Sequence, residues 1–262
     1  MRILITNDDG INADGIRILA EELRKVANVT IVAPDGERSA AGHGVTFFSP
    51  LRINRVSGDE SGQTYSCSGT PADCVIVGIY HVMREAPPDL VVTGINRGPN
   101  LGDDFHYSGT ISAAAEGALA GIQSIAVSNG VTKDFKVPCY RNTAKLAAGL
   151  AEMLLENPIP KRTMLNLNVP TDEIKGVRVT HLGFSNFKYE IIQRRDGLNL
   201  DYFWVSRSFD YRNEKYEGCD RQALDEGYAS ITPLNLDLTP ESSGVDFFKG
   251  RDVEKIMERI RN

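Results

Sequence analysis

Residues 2–34 read RILITNDDGINADGIRILAEELRKVANVTIVAP, and this stretch decides the fold. Residues 2–6 are mostly Leu and β-branched side chains, the mark of a short buried strand. Asn7-Asp8-Asp9-Gly10 ends it. Ile16, Leu19, Leu23 and Val26 then recur at helical spacing and mark one face of a helix. Residues 29–33 form a second buried strand, closed by Pro34-Asp35-Gly36. Strand, helix and strand in this order make a β-α-β unit, the element from which parallel sheets are built.

The alternation continues outward from this unit. Residues 37–49 form a long loop with small-residue kinks at Gly42, Gly44 and Ser49. Thr70-Pro71-Ala72-Asp73 starts a helix that reaches about residue 84: Thr70 can cap, Pro71 suits the first helical position, and Asp73 favours the positive end. Residues 89–93 are a buried strand and 94–109 a polar, Gly-rich loop. A helix rich in Ala and Gly is expected over 111–120, a strand over 124–128, a helix over 140–155 and a strand over 163–169. Beyond about residue 175 the pattern changes. Residues 177–180 and 201–206 read as strands, with Asp196-Gly197 as a turn between two arms. A short helix over 220–227, a strand over 228–232 and a last helix over 252–260 complete the chain. A two-stranded arm is marginal by itself, so it is expected to pack on another subunit. The fold class is α/β, a mostly parallel sheet carrying a β-hairpin extension.

The bulk numbers narrow the function. The 262 residues are 41% hydrophobic and 24% charged, which suits a globular chain with a large core. The net charge of -6, with no run of like charge, disfavours a nucleic-acid duplex as partner. No segment reaches the roughly 18 apolar residues of a membrane span, so no membrane partner is expected. Met1 leads directly into a strand without the basic and apolar regions of a secretory signal, so a cytoplasmic location is expected. Cys67, Cys74, Cys139 and Cys219 make no CxxC pair, and His43, His81, His106 and His181 show no zinc spacing.

Open parallel sheets carry their sites at the carboxyl ends of the strands. Three loops should open there: Asn7-Asp8-Asp9, the loop with Arg38 and Ser39, and Gly94 to Asn100 with Asn96. Adjacent carboxylates suit a hard cation, and Ser39 and Asn96 would add neutral oxygens. Taken alone, Asp-Asp-Gly is equally an ordinary turn. Tyr107-Ser108-Gly109-Thr110 precedes a helix whose free N–H groups and positive dipole end could cradle a phosphate. Taken alone, Thr110 there is equally a simple cap. There is no GxxxxGK[ST] loop, no GxGxxG after the first strand and no GxSxG elbow. His43 and His106 fall in these loops, and their type alone fits a structural hydrogen bond as well as an acid.

Together, Asn7-Asp8-Asp9-Gly10, Arg38-Ser39, Ser68-Gly69-Thr70-Pro71, Gly94-Ile95-Asn96 with Gly98 and Asn100, Asp104, and Tyr107-Ser108-Gly109-Thr110 resemble the stationary-phase survival protein SurE family. Ala126-Val127-Ser128 and Ser230 to Leu234 extend the likeness in family order. The resemblance implies a Rossmann-like, three-layer core over residues 1–175, a β-rich oligomerisation arm over 176–235 that returns to the core, and a tail with a helix over 236–262, all one functional unit. It implies a metal-dependent phosphatase that hydrolyses nucleoside 5'- and 3'-monophosphates, with short polyphosphate as a further substrate. One divalent ion per subunit, Mg²⁺ or Mn²⁺, would sit on Asp8, Asp9, Ser39 and Asn96. Phosphate would meet Asn96, Ser108, Gly109 and Thr110. Asp8 and Asp9 would be the catalytic pair, and the chain would form dimers or tetramers.

Two positions depart from the family pattern. Arg195-Asp196-Gly197 stands near the family's Asp-Pro-Arg-Gly turn, and Asn235 stands where many relatives carry His or Gln. The residues leave open whether water attacks directly or an aspartyl phosphate forms, although Gly10 and Ile11 after Asp9 do not make the Asp-x-Asp of aspartyl-nucleophile phosphatases. A non-catalytic nucleotide-binding protein is the alternative reading. A metal-dependent glycosyltransferase is a third, which the missing Asp-x-Asp disfavours.

Overall fold

The computed structural model describes residues 1–59, 62–130, 140–171, 173–208 and 215–239. The opening unit is as expected: β1 (Arg2–Thr6), α1 (Asp14–Leu23) and β2 (Asn28–Pro34). Then follow β3 (Ile53–Asp59), β4 (Gly62–Cys67), α2 (Pro71–Val77), β5 (Leu90–Arg97), α3 (Gly109–Leu119) and β6 (Gln123–Asn129). The rest comprises α4 (Tyr140–Glu156), β7 (Thr163–Val169), β8 (Val177–Val179), β9 (Lys188–Arg195), β10 (Asp201–Ser208), α5 (Asp220–Asp225) and β11 (Ala229–Asn235).

One sheet holds nine strands in the order β3-β4-β2-β1-β5-β6-β7-β11-β8. The six from β4 to β7 run parallel. Counted in chain order among themselves they stand 3-2-1-4-5-6, the doubly wound arrangement. The order reverses between β1 and β5, which opens a crevice at their carboxyl ends. β11 returns antiparallel beside β7, joining the extension to the core.

The parallel strands are buried on both faces, so their side chains divide by parity. Ile3, Ile5, Val92 and Ile125 pack with Ile16 and Leu19 of α1 and Ala144 and Leu154 of α4. Leu4, Val32 and Val91 pack on the opposite face with Cys74 and Val75 of α2 and Ala113 of α3. This makes three layers. Replacing Ile5 with Ala would cost about 2–5 kcal/mol, because the layer cannot collapse around the gap.

The start of α2 follows its sequence. Thr70 Oγ1 accepts from Asp73 N at 3.1 Å, and Asp73 Oδ2 accepts from Thr70 N at 2.9 Å, a reciprocal capping box. The helix expected to reach residue 84 ends at Val77 and widens into a π turn, Gly78–Val82.

Several expectations need correction. β3 and β4 were not expected, since their residues are largely polar with no clear hydrophobic period and pairing supplies their order. The helix expected to begin at residue 111 begins at Gly109, because Ser108 Oγ accepts from Ile111 N at 3.1 Å and so occupies the cap expected of Thr110. The arm paired with β10 is β9, which was not expected, whereas Val177–Val179 pairs with β11 in the large sheet, and the turn between the arms is longer than Asp196-Gly197. Arg195 pairs with Asp201, and Asp196 Oδ1 accepts from both Leu198 N and Leu200 N, closing a loop over residues 196–200. The helix expected over 252–260 lies outside the described residues.

Candidate functional site

A cleft of about 280 Å³ lies at the switch point. Asp8, Asp9, Ser39, Asn96 and Ser108 all line it, so the three loops and the start of α3 converge. Local chemistry explains each placement. Gly10 takes a φ of +96°, which lets the chain turn after Asp9, and Asn7 Nδ2 holds Gly10 O at 2.9 Å. Arg38 N donates to Asp8 O at 2.8 Å, pinning the second loop beside the first. Asn96 Nδ2 donates to Gly98 O at 2.8 Å, which leaves its amide oxygen available to the cleft. Ser39 Oγ donates to Glu37 Oε1 at 2.6 Å and keeps its oxygen lone pairs.

Asp8 is buried, and its Oδ1 accepts from Thr110 Oγ1 at 2.6 Å. Thr110 is fully buried, so its hydroxyl serves Asp8 rather than the open cleft. Gly109 packs directly on Asp8: a Cβ there would stand 2.9 Å from Asp8 Cβ and 3.1 Å from Oδ2. Asp9 Oδ2 accepts from Arg97 N at 3.2 Å.

The electrostatics are those of crowded carboxylates. Burial pushes the Asp8 carboxyl up, against the hydrogen bond from Thr110. Burial, and then the charge of Asp8, push Asp9 up to about 6. Glu37 adds a third negative charge to the lining. No group of three or more His, Cys, Asp or Glu side chains is arranged for a metal among the described residues. The donor set is two carboxylates with amide and hydroxyl oxygens. It fits a hard divalent ion that keeps several waters, and the Asp9 carboxyl, raised by burial and then by the charge of Asp8, marks a cost that such an ion would offset.

Among the lining residues to which the sequence assigns no role are Glu37, Arg97, Tyr107 and Arg207. Glu37 and Arg97 lie within two residues of the expected ligands Ser39 and Asn96. Arg207 lies on β10, remote in sequence, and reaches Asp104 Oδ1 at 3.0 Å; no local signal marks it. His43 and His106 line a different, apolar hollow of about 270 Å³, where His43 Nε2 lies 2.7 Å from Glu116 Oε1. Asn235 ends β11 and accepts from Asp237 N at 2.8 Å, away from the cleft.

Known proteins resemble this chain in sequence and fold. A family model described as Survival protein SurE matches residues 3–189. The 5'-nucleotidase SurE of Alkaliphilus metalliredigens is 44% identical over 243 residues, covering 91% of this chain and 94% of its own. That of Geobacter sulfurreducens is 44% identical over 249 residues, covering 93% and 91%. The crystal structure of the SurE protein from Aquifex aeolicus superposes with a TM-score of 0.82 at 38% identity, covering 96% of this chain and all of that one. By sequence along most of its length, and by fold, the chain belongs to the SurE family.

Proposed function

We propose that this protein is a metal-dependent phosphatase that hydrolyses nucleoside 5'- and 3'-monophosphates, and short-chain polyphosphate as well. Relatives named 5'-nucleotidase align over more than nine tenths of this chain, and the chain is accordingly a phosphoric monoester hydrolase. The single observation that supports the finer reading is the meeting of Asp8, Asp9, Ser39 and Asn96 with the start of α3 in one cleft.

Asp8 and Asp9 would hold one Mg²⁺ or Mn²⁺, with Ser39 and Asn96 adding neutral oxygens. A divalent ion there would neutralise phosphate charge and acidify the attacking water. Thr110 orients Asp8, and Arg97 N orients Asp9. Ser108 and Gly109 bring the positive end of an 11-residue helix to the phosphate. Phosphoryl transfer of this kind needs mainly positioning and charge stabilisation, which this cleft supplies.

Assembly is part of the proposal. The β9–β10 ribbon exposes Ile191, Phe203, Trp204 and Val205, each more than half exposed. Apolar side chains on both faces of a two-stranded ribbon suit burial against a second copy of the chain, as dimer or tetramer. The free thiols of Cys67, Cys74 and Cys219 suit the cytoplasm. No helix among the described residues is long and apolar enough to cross a membrane.

The test is phosphate release from nucleoside 5'- and 3'-monophosphates and tripolyphosphate, with Mg²⁺, with Mn²⁺ and with chelator. Turnover that chelator abolishes is expected. Nucleotide binding without turnover under every metal would replace the proposal with a non-catalytic binding role.

A further inference from the structure

The cleft has a wall that the metal and phosphate chemistry does not use. Asp104, Tyr107 and Arg207 line it. The Arg207 guanidinium lies 3.0 Å from Asp104, 5.6 Å over the Tyr107 ring and 5.0 Å over the Phe187 ring. Tyr107 and Phe187 meet edge to face at 5.9 Å, and the Tyr107 and Tyr189 hydroxyls stand 3.3 Å apart. Tyr107 keeps 43% of its surface open. Phe187, Tyr189 and Arg207 all come from the root of the β9–β10 ribbon, not from the parallel sheet.

That root is fastened to the core loop that carries Tyr107. Asp220 is fully buried, and its carboxylate accepts from Gly102 N at 2.8 Å and Gly183 N at 3.1 Å. Asp103 and Ser185 exchange a second pair of bonds: Asp103 N donates to Ser185 Oγ at 2.9 Å, and Ser185 N donates to Asp103 Oδ2 at 2.8 Å. A fixed root is what allows a side chain from the extension to hold a set position in the cleft.

We propose that Tyr107 and Arg207, backed by Phe187, form a subsite for the nucleoside half of the substrate, with the ribbon root as the element that reads it. The inference rests on the phosphatase reading of the same cleft. A flat ring and a planar guanidinium take a heteroaromatic base by stacking, and that preference tolerates every base because each has a π-face. The Asp104 carboxylate accepts hydrogen bonds, as sugar hydroxyls require. Inorganic phosphates and aliphatic phosphate esters present no ring to this wall. Selection for nucleotides over other phosphate monoesters therefore lies in the extension, while the chemistry lies in the sheet.

The experiment compares kcat/KM for AMP with that for glycerol 2-phosphate, using full-length protein in Mn²⁺. Tyr107→Ala and Arg207→Gln are each expected to lower the AMP to glycerol phosphate ratio about tenfold, chiefly through KM for AMP, as loss of one base stack implies. Tyr107→Phe should restore the ratio. A parallel fall on both substrates would overturn the subsite and leave these residues a general role. If the wild type turns over neither substrate, the phosphatase reading fails separately, and adenosine binding by calorimetry decides the subsite. Wild-type binding that Tyr107→Ala weakens about tenfold supports it, and unchanged binding overturns it. Circular dichroism separates misfolding from loss of recognition, and should Arg207→Gln misfold, Tyr107→Ala carries the test.

Discussion

Thr110 donates its hydroxyl hydrogen to Asp8 Oδ1 at 2.6 Å, from the first turn of α3 to the end of β1. The bond is buried and fixes which face Asp8 turns to the cleft. Thr110→Val keeps the shape and removes the donor. Activity is expected to fall about 10–100-fold, the usual effect of losing the partner of a metal-holding carboxylate. Steady-state kinetics at saturating Mn²⁺ against limiting Mn²⁺ would check it; unchanged apparent metal affinity would sink this role for Thr110.

Asp9→Asn should abolish phosphate release while raising the stability of the metal-free protein. The amide keeps an oxygen for Arg97 N but removes the charge that opposes Asp8. Thermal unfolding at pH 8 in chelator should show a higher Tm than wild type, and the rise that Mn²⁺ gives the wild type should vanish. Normal turnover by this variant would refute the metal assignment.

The Asp9 carboxyl, raised from 3.8 to about 6, predicts a pH dependence of unusual sign. A carboxyl whose folded value stands above its unfolded value favours the folded state while protonated. Its contribution is complete below pH 3.8 and is lost as pH rises through about 6. Metal-free stability should therefore decline across that window. Divalent affinity should move oppositely, weakening about tenfold per unit below pH 6 as a proton must leave first. Calorimetry in two buffers of different ionisation enthalpy would register the released proton.

Gly109→Ala should be nearly silent in stability and severe in activity. Alanine favours a helix by about 1 kcal/mol over glycine, yet its Cβ would crowd Asp8. A displaced carboxylate costs on the order of a hundredfold in rate. The kinetics and a denaturant midpoint should therefore diverge.

Trp204→Glu should weaken self-association by at least about 2 kcal/mol if the ribbon meets a second copy. Sedimentation velocity would show smaller species at the same concentration. An unchanged distribution would move the interface elsewhere on the chain.

The sequence alone determined the β-α-β start, the six-strand alternation apart from β4, and the carboxylates at the end of β1. These are local facts: hydrophobic period and turn chemistry set them within a few residues. It also marked Ser39 and Asn96, because loops at strand ends must open on one edge, and Ser108, because a helix start offers free N–H groups. Only the tertiary structure decided that Thr110 serves Asp8, across 102 residues of chain. Only it ordered the polar strands β3 and β4, whose pairing replaces a hydrophobic signal they lack. Arg207 is the clearest case. Nothing beside it in the chain marks it, and it enters the cleft because Asp220 and Asp103 hold the ribbon root against the loop at Gly102. Periodicity reports which face of an element is buried; it is silent on which distant polar groups those elements bring together.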